Sequence, residues 1–332
     1  MNLKVPLQHL VVFFYCVWPL IAMQSCMPFS HYRSAQYAPF SETVHYSNTS
    51  FTECNGFNSQ PQAIPLKRKA LREISGIAAS LQYNGLLYVQ EDSGHPNCLY
   101  LTNEKGEYLG RLDIRNSFNR DWEDIAVGPG PLPGHHYIYV ADIGDNNAWH
   151  RKIHIYRFPE PELNLQAAPI RKTVKGVEAI TLQYPDKPHN AEAILLDPLT
   201  RDLYIATKED DSCRVYVARY PQSTHHKMVL EPVITLPFRL VTSGNIASNG
   251  LEILLRNEQV YWYWKRMPDE TIAAALKKAP MQIVPTTNEP QGEAICFAAD
   301  HNGYFTCSEI KKKQAPVIYR YERKLNTTAS GF

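Results

Sequence analysis

From Ser75 onward one pattern of short strands recurs, and it constrains the fold more than any other feature of the chain. Each unit opens on a small or acidic residue and runs through an apolar strand to a Gly or Asp turn. A strand with an aromatic follows, then a third strand rich in alternating Tyr. The openings are Ser75-Gly76-Ile77, Glu123-Asp124-Ile125, Glu192-Ala193-Ile194, Gly244-Asn245-Ile246 and Glu293-Ala294-Ile295. Taken as equivalent, Ser75, Glu123, Glu192, Gly244 and Glu293 stand 48, 69, 52 and 49 residues apart. The excess in the second step falls in the loop from Gly128 to Gly134 and the linker from Pro159 to Pro169. A unit of about 50 residues made of three or four antiparallel strands is a β-propeller blade.

The expected fold is therefore all-β, a propeller of five blades, with a sixth open if the N-terminal arm builds its own. Outer strands are expected at Tyr108 to Leu112, Val177 to Leu182, Val229 to Leu236 and Met281 to Val284. The fifth unit runs out of chain, and a stretch near Ala63 to Leu66 is expected to fill its outer place and close the ring, which removes exposed sheet edges. One helix is expected, from Pro268-Asp269-Glu270 through Lys278, because its acidic start and Lys-rich end agree with the helix dipole. Tyr88, Tyr139, Tyr204 and Phe305 recur at one blade position and read as packing residues.

The first residues carry an address rather than a fold. Lys4 precedes the apolar run Leu10 to Met23, too short to span a bilayer comfortably, and Ser25-Cys26 stands just after it. Residues 1–25 are read as a signal peptide. Cys26 is expected to carry a lipid, with a plain secreted protein as the alternative; the membrane is met only through that anchor. Residues 26–67, rich in Ser, Thr, Asn, Gln and Pro, read as a tether or loosely packed arm, 68–323 as the propeller and 324–332 as a flexible tail. The expected location is outside the cytoplasm, at a bacterial cell envelope or secreted, and the chain is expected to act as a monomer.

Charge and motifs exclude several activities. Lys+Arg 34 against Asp+Glu 33 leaves no basic field for a nucleic acid. No C-x-x-C pair occurs, and neither His135-His136 nor His225-His226 has a companion of zinc-site spacing. The chain has no G-x-S-x-G, no G-x-x-x-x-G-K and no H-E-x-x-H, so serine hydrolysis, nucleotide hydrolysis and zinc proteolysis are unsupported. Cys296 and Cys307 fall on two arms of a hairpin around Asp300 to Gly303, either facing each other or buried and unpaired.

Five segments carry a resemblance: Arg120-Asp121-Trp122-Glu123-Asp124-Ile125-Ala126, Ala141-Asp142-Ile143-Gly144-Asp145-Asn146, Tyr184-Pro185-Asp186 with His189-Asn190-Ala191-Glu192-Ala193, Thr207-Lys208-Glu209, and Pro290-Gln291-Gly292-Glu293-Ala294-Ile295. In order and spacing they resemble a family of exported bacterial propeller proteins, over about Glu73 to Glu309. The resemblance implies a propeller and brings no activity with it. A more distant, purely architectural likeness is to the calcium-dependent propellers of the gluconolactonase, paraoxonase and phytase-like groups. Where the closer family tends to have Arg-Thr-Tyr, this chain has Arg256-Asn257-Glu258.

Any chemistry belongs at the central channel, where equivalent positions of successive blades meet. Glu123, Glu192 and Glu293 are expected to bring three carboxylates to one mouth and to hold calcium, which takes six to eight oxygens. The competing expectation is that each Glu caps its own strand on backbone N–H groups or pairs with Lys208 or Arg256. Asp92, Asp124, Asp145, Asn146, Lys208 and Glu309 are the further candidate ligand-binding residues, although the Asp142 to Asn147 segment reads better as an Asx turn than as a calcium loop. Trp122 reads as filler between blades. Two functions follow: a propeller that binds a small molecule or protein at its channel mouth, or a calcium-dependent hydrolase of lactones or phosphoesters with Asp142 as base.

Overall fold

The apolar openings of the repeats become the inner strands of a ring, seen in a computed structural model that describes residues 42–46, 51–310 and 314–324. A short strand, β1 (Gln62–Pro65), precedes the first blade. Blade one contains β2 (Ile74–Ala79), β3 (Leu86–Glu91), β4 (Cys98–Asn103) and β5 (Tyr108–Ile114). In blade two, β6 (Trp122–Pro129), β7 (His136–Asp142) and β8 (Lys152–Pro159) are followed, after an excursion through β9 (Ile170–Val174), by β10 (Glu178–Gln183). Blade three has β11 (Ala191–Leu196), β12 (Leu203–Thr207) and β13 (Cys213–Ala218), and then, past the two-residue β14 (Met228–Val229), its outer strand β15 (Glu231–Leu236). Blade four holds β16 (Ser243–Ile246), β17 (Glu252–Arg256), β18 (Tyr261–Lys265) and, beyond helix α1 (Ile272–Lys277), β19 (Met281–Ile283). Blade five is β20 (Gln291–Phe297), β21 (Gly303–Glu309) and β22 (Val317–Glu322).

β1 completes blade five, pairing antiparallel with β22 from Gln62 opposite Arg320 to Pro65 opposite Val317. The five sheets are separate, and their inner strands β2, β6, β11, β16 and β20 touch in a closed cycle. The fold is thus an all-β propeller of five blades, with no sixth blade among the described residues. Its apolar core lies between neighbouring blades in five clusters. Tyr88 packs towards blade two, Tyr139 towards blade three, Tyr204 towards blade four and Phe305 towards blade one, each at the same blade position. Trp122 is fully buried between blades one and two, and its indole N–H donates to the Phe118 carbonyl at 2.9 Å. Blades three and four are also joined by a buried two-pronged pair in which Arg266 donates to both carboxylate oxygens of Asp197, at 2.7 and 3.0 Å.

Several expectations need correction. Blades one and two each carry a fifth strand in parallel pairing: β9 lies beside β5, and β14 beside β10, so Val229 belongs to the edge of blade two. Gly110, at φ +129°, makes the first of these possible, because a side chain there would overlap the Ile170 backbone. The helix starts later than expected, with Thr271 as its N-cap and Glu270 lying before it in an ion pair with Lys278. Cys307 lies opposite Ala294 and Cys296 opposite Phe305, so the two cysteines are not ladder partners; both are free and buried.

The described part of the expected loose arm is packed. Val44, Cys54, Phe57, Ile64 and Leu66 are buried, and single bridges tie Thr43 to Thr235, Glu53 to Gln282 and Phe57 to Arg323. Of the expected tail only Lys324 is described, and its N–H donates to the Gly56 carbonyl at 2.9 Å. The signal segment 1–25 and Cys26 lie outside the described residues. Among the described residues no helix is long and apolar enough to cross a membrane.

Candidate functional site

The inner strands carry a repeated irregularity that aims side chains into one mouth of the channel. In blades one, two, three and five the register against the second strand slips by one residue, between Ile74 and Gly76, Trp122 and Asp124, Ala191 and Ala193, and Gly292 and Ala294. The residues left over are Ser75, Glu123, Glu192 and Glu293. A β-bulge of this kind releases one residue from the ladder and re-aims it, and in three blades that residue is a glutamate. Blade four pairs without a slip, Ser243 opposite Arg256 and Gly244 opposite Leu255. Gly244 therefore matches Gly76, Asp124, Ala193 and Ala294, one place later than the sequence alignment put it.

Glu123, Glu192 and Glu293 do converge. All three are buried, at 7, 4 and 5 % exposure. Lys208, at the end of the second strand of blade three, places its Nζ 2.6 Å from Glu192 Oε2 and 3.7 Å from Glu293 Oε1. Gln291 donates to Glu293 Oε1 at 3.0 Å and Asn190 to Glu192 Oε1 at 3.3 Å. Glu123 differs from the other two in having no hydrogen-bond or ion-pair partner among the described residues. Burial, and then Glu192, Asp92 and Asp121, push its pKa well above the carboxylate range. Burial also carries Glu192 to about 8 against the pull of Lys208, and it raises Glu293. The Lys208 ammonium is disfavoured by burial, but Glu192 and Glu293 more than offset this and raise its pKa.

Two further candidates border the same cluster. Glu309, at the end of the second strand of blade five, is raised to about 7 by burial and then by Glu293 and Asp92. Asp92, just past β3, offers a carboxylate oxygen within 4.8 Å of oxygens of Asp121 and Glu123. Asp121 was absent from the sequence-derived site. Burial and the neighbouring Asp92 raise it to about 6.

The remaining candidates are engaged elsewhere. Asp124 is fully buried on the axis side of blade two, and its carboxylate accepts from Ile125 N, Ser243 Oγ, Ile194 N and Gly244 N. Ser243 Oγ in turn accepts from Ile295 N, so these groups tie four blades together. Burial raises the Asp124 pKa well above normal, opposed by those four donors. Asp142 accepts the Asp121 N–H at 2.8 Å; burial raises its pKa, opposed by that bond and by Arg120. Asp145 accepts the His150 N–H at 2.6 Å, a bond across five residues that spans the loop. Asn146 is exposed at the mouth, where Asn190 donates to its side chain at 3.2 Å. Arg256 is fully buried against Glu289 at 2.7 Å and over the Tyr261 ring, and it donates to the Ala294 carbonyl. Lys208 therefore makes the ion pairs with the glutamates, while Arg256 acts on Glu293 from further off.

Sequence reasoning also missed two devices that position these groups. His189, fully buried, bridges Glu209 at 2.6 Å and Asp186 at 3.0 Å; the Lys208 N–H then bonds the Asn190 carbonyl at 3.0 Å, fixing both mouth residues. Asn119 Nδ2 donates to the carbonyls of Glu91, Asp92 and His95, while its Oδ1 accepts the Trp122 N–H. That side chain clamps blade one to blade two beside Asp92 and Asp121. Comparison with known proteins adds no assignment: no family model and no curated protein matches the chain.

Proposed function

We propose that the protein is an exported, non-catalytic binding propeller, anchored at the bacterial envelope by a lipid on Cys26, whose acidic mouth takes a cationic ligand. The charge imbalance at that mouth carries the reading. Asp92, Asp121, Glu123, Glu192, Glu293 and Glu309 influence one another there, and among the described residues Lys208 is the basic side chain within ion-pair reach of them. Buried carboxylates in such excess are costly unless protonated or matched by positive charge. Phe118 and Trp149, 68 and 75 % exposed, stand on loops at the same end of the blades and offer aromatic faces to a cation. The family resemblance in the motifs agrees with export.

The hydrolase alternative asks Asp142 to act as base on a substrate in the channel. Its carboxylate instead accepts a backbone N–H, and the Asp124 carboxylate is taken up by bonds that join the blades, so binding is the better supported activity. Calorimetric titration with a panel of small amines, guanidines and Lys- or Arg-ended peptides, alongside neutral and acidic counterparts, tests the reading. Cationic ligands should bind at low salt, weaken as salt rises and lose affinity to a Glu192→Gln/Glu293→Gln variant. Equal binding of the acidic counterparts would overturn it. Palmitate labelling in a bacterial host, abolished by Cys26→Ser, tests the anchor.

A further inference from the structure

We propose that a calcium ion binds off the propeller axis, between blades one and two, on the carboxylates of Asp92, Asp121 and Glu123. This deepens the cationic-mouth reading and rests on it, but it moves the metal away from the three symmetric glutamates. Lys208 already fills the place between Glu192 and Glu293, leaving those two carboxylates with a partner. Asp92, Asp121 and Glu123 have no base within ion-pair distance among the described residues, Arg120 and Lys208 acting on Asp121 and Glu123 from further off, and they present oxygens within 4.8 Å of one another. That spread suits a cation whose oxygen ligands lie at about 2.3–2.6 Å.

Two observations beyond the acidity point to a ligand. Glu123 is 7 % exposed and re-aimed by its bulge into this group, and among the described residues no donor hydrogen-bonds its carboxylate, Lys208 acting on it only from beyond ion-pair distance. A buried, unpaired carboxylate is expensive, and a metal ion removes the cost. Gly144 lies directly against the pair, so that a Cβ there would overlap both Glu123 Oε1 and the Asp121 carboxylate. Its φ is not in the left-handed region, so glycine is needed at this position for space alone. The Asn119 clamp fixes the two blades relative to each other, which makes the site preformed. Asp92 and Asp121 are only partly buried, leaving a side open for entry and for water ligands. An all-oxygen, carboxylate-rich set selects a hard cation, and calcium tolerates its irregular geometry better than magnesium.

The test uses full-length metal-free protein, titrated with calcium chloride by calorimetry and with terbium chloride by luminescence excited through tryptophan, Trp122 being adjacent in sequence to both Asp121 and Glu123. One calcium per chain is expected, with terbium emission that calcium competes away. Asp121→Asn and Gly144→Ala should each lower calcium affinity about tenfold or more, the second without removing a ligand. Glu192→Gln/Glu293→Gln should retain it. Loss of calcium in that double variant with retention in Asp121→Asn would overturn the proposal in favour of an axial site. Absence of both calcium binding and terbium emission in the wild type, while cationic organic ligands still bind, would overturn it and leave the mouth reading standing. Failure of all cationic ligands would overturn both. If a variant does not fold, the wild-type terbium measurement decides.

Discussion

Lys208 Nζ lies 2.6 Å from Oε2 of Glu192, so the cation of one inner hairpin neutralises the carboxylate that the bulge of the same blade turns into the channel. Breaking a buried ion pair from one side leaves an uncompensated charge and costs about 3–5 kcal/mol. Lys208→Met should therefore destabilise the propeller by roughly 3 kcal/mol in urea unfolding at pH 8, where Glu192 and Glu293 are pressed to ionise. At pH 5 the orphaned glutamates can take protons, and the loss should be distinctly smaller. An equal loss at both pH values would show that Lys208 acts through packing alone.

The same cluster sets the pH dependence of the wild type without metal. Glu309 at about 7 and Glu192 at about 8 lie above their unfolded values, so the folded state keeps protons that the unfolded chain has released. Stability then falls as pH rises through that window. His154 and His189 have their pKa values lowered by burial and work in the opposite direction, but their contribution levels off above the unfolded histidine value and is complete by about pH 7.5. In chelator the melting temperature should fall between about pH 7.5 and 8.5. Added calcium should reduce the fall, because a ligand of the folded state stabilises it by mass action. A melting temperature that climbs across this interval would contradict the assignment.

The repeat was legible because the inner strands must be small, apolar and regularly spaced to meet around an axis, which leaves Gly76, Ala193 and Ala294 visible as markers. Closure by the segment at Ala63 was legible for the same reason: blade five lacked a strand. What stayed hidden depends on pairing or distant contact. A bulge is a property of two strands, so Glu123, Glu192 and Glu293 could be aligned without revealing why they point inward. Blade four, lacking the bulge, was misaligned by one residue at Gly244. Ile170 to Val174, just past the linker, has no place in the repeat, and only its parallel seat beside β5 makes it a strand. Asp121 precedes its strand and gains meaning only when Asn119 draws Asp92 of the neighbouring blade against it.

Asp124 binds no ligand on this reading and should be a stability residue. Its carboxylate satisfies donors from blades two, three and four, and unmade buried hydrogen bonds cost about 1–3 kcal/mol each. Asp124→Asn keeps the volume but turns one acceptor into a donor aimed at other donors, with an expected loss of about 2 kcal/mol in urea unfolding, and Asp124→Ala should cost more. Calcium affinity of the folded Asn variant should match the wild type. A tenfold loss of affinity at unchanged stability would reverse this assignment.

The arm supplies the last prediction, because its described part is a structural belt and not a tether. A protein starting at Glu42 keeps Val44, Phe57 and β1, whose Ile64 is 3 % exposed between β22 and the core. A protein starting at Lys67 loses all of these and bares the ladder edge of β22 from Val317 to Arg320, an invitation to pair with a second chain. The longer form should melt as a monomer at the wild-type temperature. The shorter should melt several degrees lower, as expected when a few kcal/mol are lost from a domain of this size, and should show larger species in light scattering. Equal melting temperatures and equal particle sizes for the two would mean that the ring is closed without β1.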